Sequence, residues 1–179
     1  MGQSLVIWIL IGLGLITANL PFLTERHLLA LPWAQPGEPA RASWLRWMVS
    51  LLFFAALAVV GWIIKVFIGG AFFVLTDAGS VVLYLLRVAA VVAAACAVLW
   101  VPGYLLRDAS VGKPFFPRLL EVLVLYALVG TLGFAFESSI GNPFAQTWEF
   151  YAITLSLFLV LAYPGFVYRY LMRRRKAHA

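Results

Sequence analysis

From Phe150 to Tyr168 the chain carries no charged side chain. At about 1.5 Å per residue these nineteen positions form a helix about 28 Å long, close to the roughly 30 Å of a bilayer's hydrocarbon core. Hydrocarbon offers the backbone no hydrogen bonds, so a single run of this length crosses it as a helix. Aromatic residues stand at both ends, Trp148, Phe150 and Tyr151 before the middle and Tyr163, Tyr168 and Tyr170 after it. Such belts mark the two membrane–water interfaces. Arg169, Arg173, Arg174, Arg175 and Lys176 follow and mark the end expected to face the cytoplasm.

The rest of the chain continues in the same manner. Hydrophobic residues make up 64% and charged residues 11% of the 179 positions, against roughly 25% charged in soluble domains. The expected fold is all-α, an integral membrane helical bundle of about five transmembrane helices in a single membrane domain. The formal net charge of +6 does not point to nucleic acid, because the basic residues cluster beside apolar runs and not along one stripe. Cys96 stands alone within an apolar run, where inert packing is expected of it. His27 and His178 are far apart and have no companion ligands, so neither a metal nor another cofactor is expected.

The expected spans are about residues 5–20, 47–64, 80–104, 120–136 and 148–171. The first lacks a basic leading segment and a small-x-small cleavage site, so a retained helix is expected in place of a cleaved signal. Asn19 falls at its end, before Pro21, where a cap or a local hydrogen bond is expected. Phe22 to Arg46, with Pro32, Pro36, Gly37 and Pro39, reads as a loop. Val66 to Thr76 is apolar but interrupted by Gly69-Gly70, where a break or an interfacial stretch is expected. In the third span Ala89, Ala93 and Ala97 recur every four residues, as do Ala90 and Ala94. Small residues at that spacing let helices approach closely in lipid, although simple apolar filler gives the same pattern. Pro117 suits the first turn of the fourth helix, and Gly141-Asn142-Pro143 suits the turn into the fifth.

Charge distribution orients the spans. With the C-terminus in the cytoplasm, that side holds Arg26, Arg41, Arg46, Arg107, Lys113, Arg118, Arg169, Arg173, Arg174, Arg175 and Lys176, which is 11 of the 13 basic residues. Asp77, Glu137 and Glu149 lie on the other side, and Lys65 and Arg87 fall in the outer half. The expectation is a multi-pass protein of the bacterial inner membrane with a periplasmic N-terminus and a cytoplasmic C-terminus. The bilayer is the first partner, with anionic headgroups at the basic tail.

Charges within or beside spans are the site candidates, since insertion scales assign them about 2.5–3.5 kcal/mol each at the membrane centre. Lys65 ends its span and can snorkel to the headgroups. Arg87 is deeper, so pairing with Asp77 or Glu137 competes with snorkelling. Arg118 and Glu121, three apart, read as a structural pair at the cytoplasmic interface, with a proton-relay role for Glu121 as the rival. Glu149 suits the positive end of the last helix. No catalytic residues are expected. Ser138 and Ser139 lack a nearby histidine in sequence, and no phosphate loop, CxxC or metal-ligand pattern occurs. An intramembrane enzyme is the least favoured class.

Four motifs carry a resemblance. Ala18-Asn19-Leu20-Pro21-Phe22, Arg118-Leu-Leu-Glu121, Trp148-Glu149-Phe150-Tyr151 and Pro164-Gly165-Phe166-Val167-Tyr168-Arg169-Tyr170 together resemble the bacterial membrane family of the domain of unknown function numbered 2818. The resemblance covers about Met1 to Trp47 and Phe115 to Leu171, and the last two motifs are its specific part. It leaves residues 48–108, with the second and third spans, as an insertion. An even number of added spans keeps both flanking loops on one side, in accord with the charge distribution. The resemblance implies no catalytic residues. It implies a setting, since such proteins are often encoded beside the genes of the respiratory NADH:quinone oxidoreductase, complex I. Two function classes follow. One is a non-catalytic accessory or assembly partner of a respiratory membrane complex, with complex I as the candidate. The other is a small homo-oligomeric ion or proton transporter or channel, lined by Lys65, Arg87, Glu121 and Glu137.

Overall fold

A computed structural model describes residues 3–38, 42–70, 78–105, 112–141 and 145–172. Among them five helices follow one another: α1 (Gln3–Leu23), α2 (Ser43–Ile64), α3 (Ala78–Leu105), α4 (Phe115–Ser139) and α5 (Trp148–Val167). Two π-helical turns extend them, Lys65–Gly69 after α2 and Tyr168–Met172 after α5. All five helices are long and apolar enough to cross a membrane. The chain is therefore an all-α, five-span protein.

The helices outrun the charge-free stretches that announced them. α1 continues through Asn19 and Pro21 to Leu23, so Asn19 lies inside the helix and not at its end. α2 opens at Ser43, and with its π-turn runs 27 residues to Gly69, about 40 Å. The break expected at the glycines is present: the Gly70 N–H donates to the Lys65 carbonyl at 3.1 Å, five residues back, and the helix stops. α4 opens at Phe115, with Pro117 in its first turn, where the missing N–H is no loss. It ends at Gly141, whose φ of 81° is open to glycine but strained for other residues. Asp77, Arg41, Arg107, the Asn142-Pro143 turn and the basic residues after Met172 lie outside the described residues.

Contacts divide the chain into two compact units. One contains α1, α4 up to Gly130, and α5; the other contains the segment from Arg26 to Lys113 and α4 from Thr131. In the first, α1 packs along α5. Ala18 and Phe22 of α1, Val122 and Leu125 of α4, and Phe158 and Ala162 of α5 are buried. In the second, α2 packs against α3, and Phe53, Leu57, Val60 and Ile64 of α2, spaced three or four apart, form one buried face.

The second unit also holds the segment after Glu25 in place with polar contacts. The Arg26 guanidinium stacks over Trp100 at 4.7 Å, a cation–π contact. Lys113 Nζ donates to the Arg26 carbonyl at 2.8 Å. Glu38 accepts from the Gln35 N–H at 3.1 Å and pairs with Arg46 at 3.4 Å. On α4 and α3, Tyr84 Oη and Ser139 Oγ share a hydrogen bond of 3.1 Å.

α3 is the least buried of the five spans. Its alanines Ala89, Ala93 and Ala97 are exposed, and so is Cys96. Inert packing within the chain was the expectation for Cys96. An apolar run in lipid has no obligation to bury any one face, so the thiol faces outward.

Candidate functional site

The first unit gathers three of the four motifs at one end of α1, α4 and α5, and the fourth, Trp148-Glu149-Phe150-Tyr151, opens α5 at its other end. The last four carbonyls of any helix lack a partner along the helix, and that end carries partial negative charge. At α1 a guanidinium from another helix supplies the donors. Arg118 Nη1 donates to the carbonyls of Pro21 at 2.6 Å and Thr24 at 3.2 Å, with Phe22 at 3.5 Å. Its Nη2 donates to Glu25 Oε2 at 3.1 Å. Arg118 is 0% exposed. A buried charge is tolerable only when paired and hydrogen-bonded, and these contacts meet that condition.

Glu25 joins a second arginine to the first. Both nitrogens of the Arg169 guanidinium meet its two carboxylate oxygens, Nη2 at 2.7 Å from Oε2 and Nη1 on Oε1. Two parallel N–H···O bonds fix the angle as well as the distance. Arg169 stands in the π-helical turn after α5. The carboxylate therefore ties α4 to the end of α5 through the segment after α1.

Deeper along the same helices Asn19 does the equivalent work without charge. Pro164 lacks the N–H that a helix would return to residue 160, which weakens this turn of α5. The next rung is the Gly165 N–H and the Leu161 carbonyl. Both bond the Asn19 carboxamide: Gly165 N donates to Oδ1 at 2.6 Å, and Nδ2 donates to Leu161 O at 2.8 Å. The second amide proton returns to Leu15 O at 2.7 Å. Backbone groups loosened by proline in lipid need such a neighbour. Gly165 is required by the closeness of the contact. A Cβ there would lie 2.8 Å from Asn19 Oδ1 and 3.1 Å from Phe22 Cβ.

Aromatic rings enclose this region. Phe166 meets Phe22 edge-on at 6.1 Å, Phe115 at 6.2 Å and Tyr170 at 5.0 Å. The Glu25 carboxylate itself is 53% exposed, so its pair with Arg169 is partly screened, whereas the Arg118 guanidinium is fully buried.

The candidates named from sequence fall into separate places. Arg118 and Glu121 lie together in the first two turns of α4, and Glu121 is only 1% exposed. The Arg118 guanidinium also meets Glu25, 93 positions away, at 3.1 Å. Glu149 occupies the first turn of α5, as its charge suggested. Lys65 and Arg87 are exposed, and Glu137 is half-buried. Arg87 forms no ion pair with any described residue, Glu137 included. Asn19, Glu25 and Gly165 were missed as site residues. A lone asparagine inside a charge-free run was the available signal, since such a group in lipid needs a partner.

Among the described residues no three of His, Cys, Asp and Glu are placed to hold a metal ion. The arrangement fastens helix ends to one another, and its donors are already engaged by backbone and carboxylate. The fold and site together define a multi-pass helical membrane protein with a charged and aromatic clasp at one end of its first, fourth and fifth helices. The family model described as protein of unknown function (DUF2818) matches residues 80–173, just over half of the chain. The chain belongs to that family. The match takes in Arg118, Glu121, Gly165 and Arg169, and also α3, which the motif resemblance had left without a counterpart. No curated protein and no solved structure matches the chain.

Proposed function

We propose that the chain is a non-catalytic protein of the bacterial inner membrane that packs through α3 against a larger membrane complex, as an accessory or assembly partner. Respiratory complex I is the candidate, supplied by the gene neighbourhood that the family resemblance implies. The observation that carries the reading is Arg87. It lies nine residues into α3, about 14 Å from the helix start. It is exposed and has no ion pair among the described residues. A guanidinium facing lipid at depth is costly. On the same face of the least buried of the five helices, Ala90 and Ala94 stand three and seven residues further on and add little bulk. A neighbouring helix that packs on the alanines and brings an acceptor to Arg87 removes the cost and gains dispersion contacts together.

Gentle solubilisation followed by a native gel tests this. The expected result is comigration with complex I, lost when Arg87→Leu and Ala90→Leu are combined. Migration as a small homo-oligomer would favour the second reading, an ion or proton transporter. Its supporting observation is Glu121, a carboxylate almost fully buried in a membrane-spanning helix, a position that commonly marks a proton path.

A further inference from the structure

Lys65 stands where α2 passes into its π-helical turn. The uncharged stretch from Trp47 to Ile64 is eighteen residues, about 27 Å. Trp44 and Trp47, both exposed, mark one interface. The Lys65 ammonium therefore lies at the opposite edge of the hydrocarbon, at phosphate level. Among the described residues it has no hydrogen bond and no ion pair. Arg46, Arg118 and Arg169 all have acidic partners.

The same residue lines a groove of about 400 Å³ within the second unit. One wall is Gly61, Trp62 and Lys65. The other is one face of α4, where Thr131 and Ser138 are two turns apart with Ala135 between them. At one end the walls meet, because Gly69 packs against α4 so closely that a Cβ would lie 3.4 Å from Ala135 Cα and 3.5 Å from Ser138 Cβ. The Ser138 hydroxyl has no hydrogen bond to a described residue. Thr17, Thr154 and Ser156 instead return theirs to a carbonyl one turn back. The groove thus offers a cation and, about one turn further along, a hydroxyl, with an indole also in its lining. Helix π-turns frequently accompany functional sites.

A ligand matched to these features has an anionic group rich in acceptor oxygens joined to an apolar body, and it reaches the groove from the hydrocarbon edge. A phospholipid has that chemistry. We propose that the groove between α2 and the second half of α4 is a phospholipid-binding site in the leaflet farther from Arg46. The Lys65 ammonium and the Ser138 hydroxyl hold the phosphodiester, and Trp62 bears on the glycerol and acyl portion.

Native mass spectrometry of the full chain, released from detergent after incubation with phosphatidylglycerol, tests the site. One retained lipid per chain is expected. Lys65→Gln should lower its retention about tenfold, the worth of a charge-assisted hydrogen bond, and Lys65→Arg should restore most of it. Gly61→Leu fills the groove from a position where an added Cβ meets nothing within 4 Å, so it should expel the lipid with Lys65 intact. Arg87→Gln removes another exposed cation outside the groove and should leave retention unchanged. Wild-type retention in a folded Lys65→Gln or Gly61→Leu variant overturns the site. So does an equal loss in Arg87→Gln, which would mean a general lipid annulus. If Lys65→Gln fails to fold, Gly61→Leu alone decides between the two outcomes.

Discussion

Arg118 is where a single residue has the largest consequence. An ion pair at an interface is partly screened and contributes about 1 kcal/mol or less, which is the effect its pairing with Glu121 would suggest. The structure gives it a further task. Its guanidinium is fully buried and satisfies the carbonyl end of α1 as well as Glu25. Removing it leaves several polar groups without their donors. Arg118→Met should therefore lower stability by about 3 kcal/mol, measured by thermal unfolding in detergent. Arg118→Lys should recover only part of this, because one ammonium cannot reach carbonyls and carboxylate in the fork geometry. An Arg118→Met protein as stable as wild type would remove the clasp from the account of α1. The importance of Arg118 was legible in the sequence, because a charge beside a short span demands an explanation. Its long-range partner Glu25 was not. Helix spacing reveals neighbours three or four residues apart, and Glu25 is 93 away. Asn19 was legible only in part for the same reason: the local hydrogen bond expected of it is present, to Leu15, but the bonds to Leu161 and Gly165 span more than 140 positions.

Among the helices, existence was easy to read and ends were not. Lipid forces the backbone into helices wherever charges are absent for long enough. It does not say how far each helix continues into the interface, so α1 runs past Pro21 and α2 opens before Trp47. The fit of one helix on another is more exacting. α1 and α5 approach closely because residue 165 has no side chain. Gly165→Ala should push the helices apart or tilt the Asn19 amide, at a cost of about 1–3 kcal/mol. Asn19→Ala alone should cost about 1 kcal/mol, the usual worth of a hydrogen bond between membrane helices. The two changes share one contact, so the double variant should lose less than the sum. Thermal unfolding of the two single variants and the double variant measures the coupling. Strict additivity would mean that the amide and the glycine act independently.

Across the whole chain, orientation is the property on which every partner depends. Five spans place the termini on opposite sides, and one choice of side puts 11 of the 13 lysines and arginines together. Positively charged flanks are retained in the cytoplasm during insertion, whereas acidic ones have little influence. Lys65 and Arg87 are the two exceptions, and both fall in the outer half of their spans under this choice. The chain should therefore keep its C-terminus and the segment around Gly112 in the cytoplasm. Two helices, α4 and α5, separate these points, so they must share a side whichever side it is. A reporter active only in the periplasm, fused at Gly112 or at Ala179, should be silent at both positions, and a cytoplasmic reporter should be active at both. Periplasmic activity at both would invert the orientation and place the Arg118 clasp in the outer leaflet. Activity at only one would mean that α4 or α5 does not cross.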